Sequence, residues 1–354
     1  MNNRQFNPEE LQCIGHFTNV GTLYGVPYEE QVDGRRFNTP ITPKENHKIY
    51  YEHKQPYWMP ISLYDCTYIY PLVVPDCESW EPTGGLDSFG VEWVAADPAP
   101  MVKPGNPLLK DIAEWESLKW PDVDSWDWES SEKLYANLCD DRLKRGIILN
   151  GMFERMIALM DFENAAIALI ENPEAVEQFL DKLTEYNIAI LERYKKHYNV
   201  DEVVFHDDWG TQIAPFFSRD TVRTVFLPRL KKIADRAHEL GVIFTLHSCG
   251  NVSPYIPEMI EAGVDQWQLQ ENANPGLLDL IKTYGDKILF EGYNMLDPAF
   301  TEEEVKALIE EHCATYKGVY SFAYYFEDFA FIIEERGYNT RNLAYTKARE
   351  AANP

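Results

Sequence analysis

Val242-Ile243-Phe244-Thr245-Leu246-His247-Ser248-Cys249-Gly250 is the stretch whose reading decides the fold. A β-branched, apolar run passes straight into a His-x-Cys pair, and a glycine then lets the chain turn. Residues i and i+2 of a strand share one side. His247 and Cys249 therefore present an imidazole and a thiol together near the strand's end, and both are common zinc ligands. Helix-like segments lie on either side, which is the rhythm of a β/α barrel or an open α/β sheet. In both folds the C-terminal ends of parallel strands carry the chemistry.

The same alternation extends outward from this strand. Gly146 to Gly151 is a buried-strand run, followed by Met152-Phe153-Glu154-Arg155 and an amphipathic helix. Asn172-Pro173-Glu174 opens a helix expected to reach about Tyr198, with proline in its first turn. Glu202 to Asp208 reads as the next strand, and Arg219 to Leu240 as a helix. Then come a helix at Pro254–Ala262, a strand at Asp265–Gln270 and a helix at Pro275–Tyr284. A strand at Lys287–Tyr293, a helix at Glu302–Tyr316 and a strand at Gly318–Tyr324 follow. Strands alternating with helices of this length imply parallel βα units, and their number favours a closed (β/α)8 TIM-type barrel.

Residues 1–140 are less regular and hold many of the 22 prolines. Within them Pro56–Tyr64 reads as a strand, Gly84–Val94 as a turn and a second strand, and Asp111–Leu118 as a short helix. They form an irregular N-terminal extension that supplies the first barrel strand or strands, and 141–354 the remainder of the barrel, within one structural domain.

Composition narrows the function. The 354 residues are 45% hydrophobic and 14% aromatic, with 58 acids against 32 bases and a formal net charge of −26. That field repels nucleic acid, anionic membranes and polyanionic substrates. The aromatic content fits either barrel–helix packing or a pocket for a flat substrate. No stretch reads as a signal peptide or a membrane span. Six scattered cysteines form no paired framework, so the reducing cytoplasm is the expected setting.

Four expected strand ends finish in ligand-capable residues: Glu154; His206-Asp207-Asp208; His247 with Cys249; and Gln270-Glu271-Asn272. Each has a plainer reading. Glu154 could pair with Arg155, Asp207 or Asp208 could cap the following turn, His206 could be a satisfied structural histidine, and Glu271 a loop acid. Their convergence on one barrel face favours a site.

His206-Asp-Asp-Trp-Gly-Thr-Gln212, Leu246-His-Ser-Cys-Gly-Asn-Val252 and Ile256-Pro-Glu-Met-Ile-Glu-Ala-Gly-Val-Asp265 together resemble the uroporphyrinogen decarboxylase superfamily. Within it the corrinoid-linked methyltransferase branch is the nearer likeness, supported by Asp87-Ser-Phe-Gly-Val-Glu-Trp93 and Gly151-Met-Phe-Glu-Arg155. The resemblance spans about Pro56 to Tyr325. It implies a (β/α)8 barrel with an N-terminal extension and a zinc ion at the barrel top, held by His247 and Cys249. A further cysteine that often completes such sites on the last barrel strand has no counterpart in Gly318–Asp328, and Cys313 falls too early. The remaining ligands are then expected among Glu271, Glu327, Glu154, His206 and Asp208, with Glu271 preferred. Asp208, His206 and Asp207 are the candidate acid–base or substrate-orienting residues.

One thiolate with harder ligands leaves zinc a stronger Lewis acid than two thiolates do. The resemblance then implies a methyltransferase that moves a methyl group from a small O-methylated donor, favoured as a methoxylated aromatic, to the Co(I) corrinoid of a partner protein. No corrinoid-binding signature lies in this chain, and a homodimer is kept open as its assembly. Three alternatives stand beside this reading: a zinc-dependent methylcobamide:thiol methyltransferase, a metal-free decarboxylase, and a non-catalytic binding barrel. A decarboxylase pocket for eight carboxylates needs arginines, and the decarboxylases' Arg-Gln-Ala-Gly-Arg segment has no counterpart here.

Overall fold

The computed structural model describes residues 141–293 continuously, most of 35–136 in shorter segments, and scattered positions before 28 and between 301 and 324. Seven barrel strands lie among them: β1 (Cys66–Ile69), β2 (Leu143–Ile148), β3 (Glu202–His206), β4 (Ile243–Ser248), β5 (Gln266–Gln270), β6 (Leu289–Tyr293) and β7 (Phe322–Tyr324). Each pairs in parallel with the next, in chain order. Sequential order in an all-parallel sheet, with helical crossovers, is the arrangement of a (β/α)8 barrel.

The helices begin and end where local chemistry directs. Three helices, α1 (Phe153–Met160), α2 (Phe162–Glu171) and α3 (Pro173–Tyr198), fill the crossover from β2 to β3. The α3 helix starts with Pro173 in its first turn and stops at Asn199, whose φ of 50° is the left-handed conformation that asparagine tolerates. Between β3 and β4 the helical run from Arg219 reaches α4 (Leu227–Glu239) through a wide turn at Val222–Phe226. Pro228 lies just beyond that turn and has no N–H for the usual bond, while Leu227 N–H reaches back to Val222 C=O. Helices α5 (Ile256–Ala262) and α6 (Leu277–Tyr284) follow β4 and β5. Among the described residues no helix is long and apolar enough to cross a membrane.

Strand alternation divides the barrel into two chemistries. Phe205, Phe244, Leu246, Trp267, Leu269 and Phe290 are buried in the apolar core. The alternate positions are polar and equally buried: Arg145, Glu202, Thr245, Gln266 and Glu291. Arg145 sits at the centre, with Nε 2.8 Å from Glu202 and both terminal nitrogens on Glu291, at 2.9 and 2.7 Å. Burial and Glu291 hold the Glu202 carboxyl high against Arg145, while Arg145 and its other donors bring Glu291 low against burial. The group is thus best described as an Arg145–Glu291 ion pair with Glu202 beside it.

The expected strand at Pro56–Tyr64 is displaced. Ser62–Asp65 is a short helix, and the strand is Cys66–Ile69, four consecutive buried residues. Pro56 and Pro60 cannot donate to a ladder, whereas Cys66–Ile69 contains no proline. At Gly84–Val94 the turn sits inside the segment: Gly85–Leu86 and Glu92–Val94 pair as a hairpin, and Met101–Val102 adds a third strand. Asp87 clamps this small sheet to α1. It accepts bonds from Phe89 N–H, Val91 N–H and Trp93 Nε1–H, and pairs with the buried Arg155. The expected helix at Asp111–Leu118 is a 3-10 helix over Ile112–Ser117, capped by Asp111. Most of the expected helix Glu302–Tyr316 lies outside the described residues, as do Cys313 and Glu327.

Candidate functional site

His206, His247, Gln268 and Glu291 are mutual register partners across β3, β4, β5 and β6. One rung of the barrel therefore carries two imidazoles, an amide and a carboxylate. The rung lies at the C-terminal ends of β3 and β4, and the chain just beyond those ends supplies Asp208 and Cys249. Ligand-capable atoms of His206, Asp208 and His247 all lie within 4.8 Å of one another. Cys249 Sγ is 3.5 Å from His247 Nε2, and Asp208 Oδ1 is 3.7 Å from the same nitrogen.

These spacings suit zinc. Two ligands on one tetrahedral ion, sulfur at about 2.3 Å and nitrogen at about 2.0 Å, lie about 3.5 Å apart. Cys249 and His247 already stand at that separation. The backbone holds the loop in place: Cys249 N–H donates to Asp208 Oδ1 at 2.6 Å, and Gly250 adopts a φ of 81° packed against the Gly210 carbonyl. His247 Nδ1 meets Gln268 Oε1 at 2.7 Å, which leaves Nε2 facing Cys249 and Asp208.

His206 is held differently. Its Nδ1 lies 2.9 Å from Glu154 Oε2, and its ring stacks on His247 with centroids 4.2 Å apart and 13° between planes. A nitrogen lone pair lies in the ring plane, so two stacked rings cannot both direct one at a single ion about 2.0 Å away. The ring whose nitrogen faces Cys249 is His247. Burial opposes the charged form of His206, but Glu154 and Asp208 outweigh it and its pKa is raised.

The structure sorts the remaining expectations. Glu154 partners His206 rather than Arg155, whose own partner is Asp87. Asp207 is fully buried and turned to the backbone: it accepts bonds from Phe153 N–H, Glu154 N–H and Trp209 Nε1–H. It anchors the start of α1 instead of joining the cluster or capping the following turn. Burial and Glu154 push its carboxyl up to about 7 against those three donors. The acid brought to His247 is Asp208; Glu271, the preferred candidate, opens the 3-10 turn Glu271–Ala273 after β5 and is not one of the clustered three. Gln270 bonds Gln212, and Asn272 is exposed. Glu327 lies outside the described residues.

A cavity of about 510 Å³ adjoins the cluster, and Asp208 and Glu154 form part of its wall. The rest is mostly apolar, including Trp93, Met101, Ile157, Phe162 and Phe216. Among the described residues Lys103 is its only cationic lining group, and it pairs with Glu92. Asn150 also lines it, two residues past the end of β2 with a φ of 53°, and its buried amide nitrogen has no hydrogen-bond partner among the described residues. Asn150, Gln268 and the third strand, Met101–Val102, of the small sheet were missed from sequence, whereas the strand that carries Trp93 was expected. Gln268 had a signal: Gln266, Gln268 and Gln270 alternate with Trp267 and Leu269, a polar row facing into a buried strand.

No curated protein matches the sequence. Among solved structures, a methyltransferase from Methanosarcina mazei superposes with a TM-score of 0.62 at 18% identity, covering 88% of this chain and 98% of its own. An endo-β-1,4-xylanase from Gloeophyllum trabeum gives a TM-score of 0.42 at 9% identity, covering 66% and 82%. The first similarity agrees with the strand order in establishing the fold. The family model for uroporphyrinogen decarboxylase (URO-D) matches residues 100–317, a span that includes Glu154, the three clustered residues and Cys249. The chain belongs to the uroporphyrinogen decarboxylase family.

Proposed function

We propose that this protein is a zinc-dependent methyltransferase that takes the methyl group of an O-methylated substrate, a methoxylated aromatic by preference, and delivers it to the Co(I) corrinoid of a partner protein. The observation that carries this reading is the apolar cavity ending at Asp208 and Glu154, directly beside the His247–Cys249 pair. Family membership alone does not fix the reaction, because one fold hosts several chemistries.

His247 Nε2, Cys249 Sγ and the Asp208 carboxylate would hold the metal, three protein ligands with the fourth position open as in catalytic sites. Bound there, zinc supplies a Lewis acid for the oxygen that leaves with the electron pair of the methyl–oxygen bond. Trp93, Phe162 and Phe216 pack the substrate's flat body and exclude water from it. His206, oriented by Glu154, hydrogen-bonds the leaving oxygen and gives it a proton. Such a wall, with one cation already paired, does not match a substrate carrying many carboxylates, which disfavours the decarboxylase reading.

The test is single-turnover methyl transfer. Purified protein is mixed with a Co(I) corrinoid protein and a panel of methoxylated aromatics, and the cobalt spectrum is followed. Methylation with a methoxyaromatic supports the reading. Turnover only in the reverse sense, from methyl-cobalt to a small thiol, would replace it with the thiol methyltransferase.

A further inference from the structure

The polar rung that carries His247 continues across the barrel, and its far end determines which ring nitrogen bears hydrogen. We propose that Gln268 is a positioning residue which, backed by Glu291 and Arg145, locks neutral His247 in the Nδ1–H tautomer and so presents the Nε2 lone pair to a divalent cation. The cation half of this statement rests on the reading of His247 as a ligand; the tautomer half does not.

Beyond the far end of the rung lies Arg145, which can only donate. Its two terminal nitrogens take both oxygens of Glu291, at 2.9 and 2.7 Å. Glu291, ionised beside this guanidinium, can then only accept. The Gln268 amide atom 2.6 Å from Glu291 Oε1 must therefore be the NH2 group. Turned the other way, the amide would set its oxygen against a carboxylate oxygen at that distance. Once the NH2 faces Glu291, the amide oxygen faces His247 Nδ1 at 2.7 Å. An amide oxygen only accepts, so Nδ1 must carry the hydrogen, and a neutral imidazole then has its lone pair on Nε2. That nitrogen faces Cys249 Sγ and Asp208 Oδ1.

Gln266 braces the arrangement from the neighbouring rung, donating to Glu291 Oε2 at 2.8 Å. His247, Gln268 and Glu291 are nearly or wholly buried, so water does not compete for these bonds. The relay reaches the ligand from the barrel interior, not from the substrate side. It should tune metal affinity without touching substrate.

The experiment is nitrogen NMR of metal-free protein labelled with 15N-histidine, at a pH where the imidazole is neutral, with His247→Gln used to assign the signal. The expected wild-type result is one dominant tautomer, protonated at Nδ1. In Gln268→Leu the signal should move to a mixture of tautomers, and zinc affinity, measured by competition with a chelating dye, should fall by about 10- to 100-fold. A dominant Nε2–H tautomer in the wild type overturns the proposal, and so does an unchanged tautomer with unchanged zinc affinity in Gln268→Leu. If Gln268→Leu does not fold, the wild-type spectrum alone decides. If the wild type binds no zinc, the metal reading fails while the tautomer result still stands or falls by the spectrum.

Discussion

His206 and His247 face each other in register on adjacent strands, and their rings stack at 4.2 Å. Two histidines so close would ordinarily suggest a pair of ligands. On the proposed reaction the stacking divides the labour: His247 would serve the metal and His206 the reacting oxygen. Glu154→Gln should then lower the rate of methyl transfer by about 100-fold or more, in the range for a general acid, and leave zinc content at the wild-type level. Parallel measurement of kcat and bound zinc checks this; loss of zinc in Glu154→Gln would make His206 a ligand.

Asn150 carries a buried amide donor with no partner among the described residues, against the apolar cavity and beside the cluster. Such a group costs about 1–3 kcal/mol when unsatisfied, and a bound substrate oxygen would satisfy it. Glycine also tolerates the φ of 53° at this position. Asn150→Gly should leave thermal stability within a few degrees of wild type and raise KM for the methyl donor by about tenfold. Stability curves and saturation kinetics test both halves.

Gly250 ends the segment that presents Cys249. A Cβ there would overlap the Gly210 carbonyl, and the φ of 81° disfavours any other residue. Gly250→Ala should destabilise the protein by about 1–3 kcal/mol and weaken zinc binding, because Cys249 moves with the loop. Denaturant titration and a zinc-binding isotherm report the two effects separately.

His47 lies far along the chain from the site, fully buried near Arg145. Burial, reinforced by Arg145, pushes its pKa down to about 3. The unfolded chain takes up a proton near pH 6.5 while the folded protein does not. This group's contribution to stability is therefore present above about pH 6.5 and is lost as pH falls toward 3. Between pH 6.5 and 5 the loss is about 2 kcal/mol. Urea unfolding at pH 7 and pH 5 should show a larger drop for wild type than for His47→Gln, by about that amount.

Much of the barrel could be read from the sequence because its strands are short apolar runs with polar ends, separated by long helical periods. The β4 run Ile243–Ser248 and the Pro173 helix start were legible for that reason. His247 and Cys249 were legible too, since two residues apart on a strand is enough to put them together. Partners drawn from different strands were not. Nothing in the chain says that Glu154 turns to His206, or that Asp207 turns back to cap α1 while Asp208 reaches the cluster. Those outcomes depend on register between strands dozens of residues apart. The same holds for Gln268: its row of glutamines is visible, but the carboxylate it faces lies on the next strand.

Zinc content by elemental analysis is the most direct test of the central claim. It would be measured on wild type, His247→Ala, Cys249→Ala, Asp208→Ala and Glu271→Ala, purified without chelators or a metal-affinity tag. The prediction is about one zinc per chain in the wild type and in Glu271→Ala, with most of it lost in the other three. No zinc in the wild type after zinc is offered, or full zinc retained in His247→Ala, would contradict the account.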